Sequence, residues 1–327
     1  MAIFAAVFAA CAAPLSPASA DDLDQIQSAF DSTFGTGQRA PRSYPTALDG
    51  QIAALADAQE GRIGVAALDL ATGRTVTVLG SQPFPMASTS KIAIVATFLD
   101  GVDRKRFSLT DRYPLMVPVP SRKFDGPVAP VRAGTMMSAQ ELIELALTRS
   151  DNSATDALLA VIGGPKAVNN WVRRAGLTEL HIDRDIATLV RDDGAVDPAR
   201  TVDTRDAATP MAMVRLLSGL YRGEWLSDSS RAVLLGAMER CHTGASRIRA
   251  LLPEDARVAH KTGTLYNTAS DVGFFHTPDG RVIAVAIYVT GQGGKPNRNA
   301  RIAAIARALY DGYAADDGRS RRTAALR

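Results

Sequence analysis

Ser88 and Lys91 stand three residues apart at the head of an apolar run, Ile92-Ala93-Ile94-Val95-Ala96-Thr97-Phe98-Leu99. A serine just before such a run reads as the start of a buried helix, and the lysine three residues on lies one turn away on the same face. The hydroxyl and the amine can therefore meet. A serine alcohol is a poor nucleophile at neutral pH, and a nearby amine whose pKa is lowered by burial can accept its proton. With 20 serines and six lysines in the chain, this spacing alone arises by chance in roughly a third of such sequences. Two further stretches remove chance as an explanation. Ser150-Asp151-Asn152 and then Lys261-Thr262-Gly263 follow in that order further along the chain. The joint chance of all three is on the order of one in a thousand or less.

These residues need elements to position them. Leu48, Ile52, Leu55 and Ala56 recur at helical spacing between Ala47 and Gln59. Ile63 to Leu70 and Thr75 to Leu79 alternate around Ala71-Thr72-Gly73 and predict a β-hairpin. Ser88 to about Glu239 has a helical texture, with a capping box at Ser138-Ala139-Gln140-Glu141 and a cap plus N1 proline at Thr209-Pro210. Arg257 to Thr264, Val272 to Phe275 and Val282 to Val289 predict three more strands, and Asn299 to Tyr313 a last amphipathic helix. The expected fold is α/β in the α+β sense. One antiparallel five-stranded sheet, flanked by N- and C-terminal helices, forms a lobe from residues 46–87 and 240–313. Residues 88–239 form an all-helical lobe. A cleft between the two is the natural site.

The set S-x-x-K, S-D-N and K-T-G resembles that of class A β-lactamases and penicillin-binding proteins, and the likeness runs from about Ala47 to Tyr313. It implies the β-lactamase/transpeptidase-like fold and a serine acyl-transfer enzyme without a cofactor. By that resemblance Ser88 is the acylated nucleophile and Lys91 its proton acceptor or relay. Ser150 passes a proton to the leaving nitrogen, and Asn152 holds the acylamino side chain. Lys261 and Thr262 bind the substrate carboxylate, and the backbone N–H groups of Ser88 and Thr264 form the oxyanion hole. Gly263 leaves room for the acyl group beside the strand. Thr243-Gly244-Ala245-Ser246-Arg247 resembles the family segment whose arginine reaches the carboxylate, which makes Arg247 the candidate and Arg298 an ordinary arginine.

One stretch departs from the family. Where its E-x-x-L-N glutamate and asparagine hold the hydrolytic water, the matching register here places Ile186 and Val190. Neither can activate water. Arg184 and Asp206 can still pair across the neck of this loop, which is longer than usual and carries Asp185, Asp192, Asp193, Asp197 and Asp203. Three accounts stay open: an aspartate in a shifted register, Asp185 first; Lys91 as the base of deacylation; or slow deacylation in an acyl-trapping protein. The functions expected are therefore a β-lactamase, a D-alanyl-D-alanine peptidase or esterase, or a β-lactam-binding protein that does not turn over.

Composition narrows the partners. A net charge of +3, spread among mixed charges, carries no nucleic-acid footprint. His181, His242, His260 and His276 show no metal-ligand spacing, and strand alternation points His260 away from Lys261. No metal, no nucleic acid and a monomer acting on a small molecule are expected. Met1 to Ala20 is uncharged, apolar from Ile3 to Ala13, and ends in Ala18-Ser19-Ala20. It resembles a signal peptide too short to span a bilayer, which implies a periplasmic or secreted protein. Cys11 is a less fitting lipid-attachment residue. Residues 21–45 read as a leader and 314–327 as a disordered tail.

Overall fold

A computed structural model describes residues 45–119 and 126–325, with side chains as far as residue 315. The signal segment, Cys11 and all of the leader but Pro45 lie outside the described residues.

The chain runs in order through α1 (Ala47–Leu55), β1 (Ile63–Asp69), β2 (Thr75–Val78), β3 (Phe84–Pro85) and a 3-10 turn (Ala87–Ser90). It continues through α2 (Lys91–Asp103), β4 (Arg112–Pro118), β5 (Val131–Ser138), α3 (Ala139–Thr148), α4 (Asn152–Ile162), α5 (Pro165–Arg174) and α6 (Ile186–Arg191). Then come β6 (Ala207–Ala208), α7 (Pro210–Arg222), α8 (Asp228–Glu239), a second 3-10 turn (Ile248–Leu251), β7 (Val258–Leu265), β8 (Thr268–His276), β9 (Val282–Thr290) and α9 (Lys295–Ala325).

Five strands form one antiparallel sheet in the order β2-β1-β9-β8-β7, so β1 from one end of the chain pairs with β9 from the other. The period of two along each strand divides the core. Val65, Ala67, Val285 and Ile287 face one way and pack with Leu48 and Ile52 of α1 and Ile302, Ile305 and Leu309 of α9. Ala66, Val272, Phe274, Ala284, Ala286 and Tyr288 face the other way, onto the helices of the middle of the chain. At the centre of those helices is α2, buried continuously from Lys91 to Gly101, as a helix apolar on every side must be.

The sequence reading needs two corrections. The middle lobe is not all helix: β4 and β5 form an antiparallel ribbon with a register shift between Pro114 and Met116, and β3 pairs with β6. Pro114 and Pro118 interrupt the alternation that marks a strand, and a two-stranded ribbon tolerates them where a central strand does not. The last helix does not end at Tyr313 but continues to Ala325, through the stretch expected to be a disordered tail.

Candidate active site

Ser88 sits half buried in the 3-10 turn that runs into α2, and the Lys91 amide N–H donates to its carbonyl. That bond places the two side chains one turn apart. Ala87, just before Ser88, has φ +48°, a left-handed conformation that costs a non-glycine residue of order 1 kcal/mol or more. The turn is held by its own hydroxyls. Thr89 Oγ1 donates to Met86 O at 2.7 Å and Ser90 Oγ to Ala87 O at 2.8 Å.

Lys91 is fully buried, and its amine reaches into the S-D-N turn. Nζ donates to Ser150 O at 2.6 Å and to Asn152 Oδ1 at 2.7 Å, with Asp151 O at 3.2 Å and Ser150 Oγ at 3.4 Å. Burial lowers its pKa to about 6, and the charge of Lys261 pushes the same way. From the other side Lys261 Nζ donates to Ser150 Oγ at 2.8 Å and to Thr262 O at 2.9 Å. Burial lowers the Lys261 amine as well, to about 8. One hydroxyl thus lies between two amines. Accepting from Lys261, Ser150 has its own proton free to be given away.

The backbone of the S-D-N turn explains its residue types. Ser150 has φ +59°, and Asp151 is the N-cap of α4, its Oδ1 accepting from the Ala154 N–H at 2.7 Å. The middle aspartate is thus a cap, a role the sequence analysis left unassigned.

On β7, Gly263 has a reason in the packing of the strand itself. A Cβ there would fall 2.4 Å from Ser270 Oγ and 2.6 Å from Met86 O, so glycine lets the strand press against the turn that carries Ser88. Thr262 Oγ1 bonds Thr243 Oγ1 at 2.6 Å. Thr264 is exposed at the strand end. Arg247 is buried, donating through Nη1 to Gly263 O at 2.7 Å and Ser270 O at 2.8 Å, through Nη2 to Thr264 Oγ1 at 2.5 Å and through Nε to Asn299 Oδ1 at 2.9 Å. Four of its five N–H donors are used, which leaves one on Nη2. Arg298 instead ties the loop before α9 together, donating to Asn267 Oδ1 and to Gly291 O at 3.1 Å each.

The loop neck pairs as expected. Arg184 Nε meets Asp206 Oδ2 at 2.7 Å, and Asp206 Oδ1 accepts from the N–H groups of Asp183 and Arg184. Inside the loop Asp185 does not stand free. It is the N-cap of α6, with Oδ1 accepting from the Thr188 N–H at 2.7 Å. Asp192 pairs with Arg184 and Arg191, Asp203 with Arg205, and Asp193 and Asp197 bind Tyr266 N and Asn267 Nδ2 of the β7–β8 turn. Ile186 is buried and Val190 half exposed at 48%.

Asp156 is the residue the sequence analysis missed. It lies one turn after Asn152 on α4, 5% exposed, and its two oxygens accept from the N–H groups of Ile186 at 2.7 Å and Ala187 at 2.8 Å. Burial raises its carboxyl to about 6; these two bonds and the charge of Lys91 pull the other way. The available signal was an acid at i+4 from Asn152, with Ala157, Leu158 and Leu159 following it on a helix.

The comparisons with known proteins agree with this geometry. A family model described as the beta-lactamase enzyme family matches residues 47–313. Beta-lactamase CTX-M-25 of Escherichia coli is 33% identical over 267 residues, 80% of this chain and 88% of that protein. A β-lactamase of Streptomyces fradiae is 33% identical over 246 residues, 74% and 78% of the two chains. Among solved structures, an ancestral class A β-lactamase superposes with a TM-score of 0.69 at 34% identity, over 81% of this chain and 99% of that one. A β-lactamase from Chitinophaga pinensis superposes with a TM-score of 0.71 at 27% identity, over 82% of this chain and all of its own. The chain therefore belongs to the class A serine β-lactamase family.

Proposed function

We propose that this chain hydrolyses β-lactams through an acyl-enzyme on Ser88, with Lys91 as the base. The observation that carries the reading is the buried Lys91 amine, one turn from Ser88 and lowered to about 6. At neutral pH it is mostly unprotonated and can take the Ser88 proton as the hydroxyl attacks the ring carbonyl. The backbone N–H groups of Ser88 and Thr264 receive the developing oxyanion, and loss of one such donor costs about 3 kcal/mol of transition-state stabilisation. Ser150 then protonates the departing ring nitrogen and is resupplied through Lys91 or Lys261. Lys261, Thr262 and the remaining N–H of Arg247 hold the substrate carboxylate, and Asn152 its acylamino group. With Asp185 capping α6 and Ile186 and Val190 at the water positions, Lys91 serves deacylation too.

Ile186 and Val190 also favour a second reading: a protein that is acylated at Ser88 and releases the product slowly. The substrate in either case is a β-lactam, the active species a monomer, and Met1 to Ala20 an export signal that puts the protein where it shields the cell wall from antibiotic. Among the described residues no helix is long and apolar enough to cross a membrane.

Intact-protein mass after mixing with a chromogenic cephalosporin separates the readings, with Ser88→Ala as control. Rapid, continuing colour without a lasting adduct supports hydrolysis. A stoichiometric adduct persisting for hours after one burst of colour supports trapping, and neither colour nor adduct overturns both.

A further inference from the structure

On the face of β7 and β8 opposite Lys261 lie two fully buried polar residues that the serine chemistry does not use, His260 and Asp271. His260 Nδ1 is 2.9 Å from Asp271 Oδ1 and 3.0 Å from Oδ2. An ionised carboxyl only accepts, so Nδ1 carries hydrogen in the neutral ring and in the imidazolium alike. The 3-10 turn Ile248–Leu251 sits on this pair. Its first amide, Ile248 N–H, donates to Asp271 Oδ2 at 3.2 Å, which satisfies a group that the start of a helical turn leaves without an internal partner.

Arg247 is the residue just before that amide, and its side chain comes back to the same place. Nη1 donates to the carbonyl of Ser270, the residue before Asp271, at 2.8 Å and to that of Gly263 at 2.7 Å. Asp271 therefore stands beside both the main chain and the side chain of Arg247. Gly244 permits the approach: its φ is +81°, and a Cβ there would lie 2.4 Å from Thr262 Cγ2, 3.4 Å from His260 Cε1 and 3.7 Å from Asp271 Oδ2. Its carbonyl accepts from the Arg247 N–H at 2.9 Å, which closes the segment over the pair.

The hydrogen-bond partners of the Arg247 guanidinium are all neutral: two carbonyls, the Thr264 hydroxyl and the Asn299 amide. Burial lowers its pKa, and the charge of Asp271 opposes that while Arg298 adds to it. We infer that Asp271, held by His260, is a positioning residue for substrate recognition: it fixes the turn after Arg247 so that the remaining Nη2 hydrogen meets the substrate carboxylate beside Lys261 and Thr262. This rests on the role proposed above for Arg247. The substrate carboxylate is charged in the ground state and the transition state alike, so a misplaced Arg247 weakens binding and spares the chemical step.

The test follows acylation of Ser88 in the whole chain by benzylpenicillin, using intact mass after rapid quenching, which reads the first chemical step whether or not the adduct is then released. Asp271→Asn keeps the shape of the side chain and replaces one accepting oxygen by a donor. It is expected to raise the half-saturating benzylpenicillin concentration about tenfold and to leave the limiting rate within about threefold. In an Arg247→Ala background the same substitution changes that concentration less than about twofold, because the group it positions is gone. Equal losses in the two backgrounds, or a loss carried by the limiting rate, overturn the proposal. His260→Gln repeats the cycle where Asp271→Asn does not fold. The positioning is also read without substrate, from hydrogen exchange at the Arg247 Nε–H, assigned in the NMR spectrum by its loss in Arg247→Lys. Exchange there is expected to quicken about tenfold or more in either variant, with the Arg184 Nε–H unchanged. Unchanged exchange at Arg247 overturns the proposal. Faster exchange in a chain that benzylpenicillin does not acylate supports the positioning and overturns the acyl-transfer reading alone.

Discussion

Lys91 and Lys261 are two amines brought down by one cause, burial, and asked to be in opposite states. In the proposed reaction Lys91 must be neutral to accept a proton, so activity appears as pH rises through its value of about 6. Lys261 must be charged to hold a carboxylate, so activity falls as pH rises through about 8. The kcat/KM for a β-lactam is expected to be bell-shaped with limbs near 6 and 8, and a flat profile from pH 5 to 9 would remove Lys91 as the base. Asp156 makes a separate statement about stability. Its folded pKa of about 6 stands above the ordinary 3.8. The stability its protonation contributes is fully present below pH 3.8 and lost as pH rises through 6, about 3 kcal/mol in all. Denaturant titrations at pH 4 and pH 7.5 should therefore show a pH-dependent loss in the wild type that is smaller by roughly this amount in Asp156→Asn. Equal losses in the two proteins would show that Asp156 titrates normally.

The loop around α6 shows how an element can take up residues that look chemical in isolation. Its acids are spent on structure: Asp185 caps α6, Asp192 and Asp203 pair with arginines, and Asp193 and Asp197 fasten the loop to the turn between β7 and β8. From α4, Asp156 binds the first two amides of α6, which a helix start leaves without intrahelical partners. Asparagine caps a helix as well as aspartate does. Asp185→Asn is thus expected to keep its melting temperature within about 2 °C and its turnover of a cephalosporin within about threefold. A hundredfold loss of turnover with unchanged stability would return Asp185 to the role of base. Ser90 and Thr89 do for the 3-10 turn what these acids do for the loop, holding Ser88 in a turn strained at Ala87.

At the scale of the whole molecule the two ends of the chain build one body. The α1 helix and the first turns of α9 cover the same face of the sheet, and β1 pairs with β9 although the whole middle of the chain lies between them in sequence. Truncation after Gly291 removes α9 and bares that face, and the product is expected to be insoluble or unfolded. Truncation after Ala315 keeps every described residue of the buried cluster, and its denaturation midpoint should match the full chain, with a Tm change above about 3 °C counting against this division. The three motifs, their order, the five strands, the caps at Ser138 and Thr209 and the Arg184–Asp206 neck were all readable from the sequence, because each is a local pattern or a short word with its own physical reason. The resemblance also implied that Ile186 and Val190 stand where the family has its water-activating pair. Only tertiary structure decided the rest, since burial and long-range partners belong to no single segment. It put the Lys91 amine under Ser150 and Asn152 and buried it, which sets its proton affinity. It turned Asp185 into a cap and found Asp156 beneath the loop. It paired β4 with β5 despite their prolines, and it set His260 of β7 against Asp271 of β8, two residues that no local pattern joins.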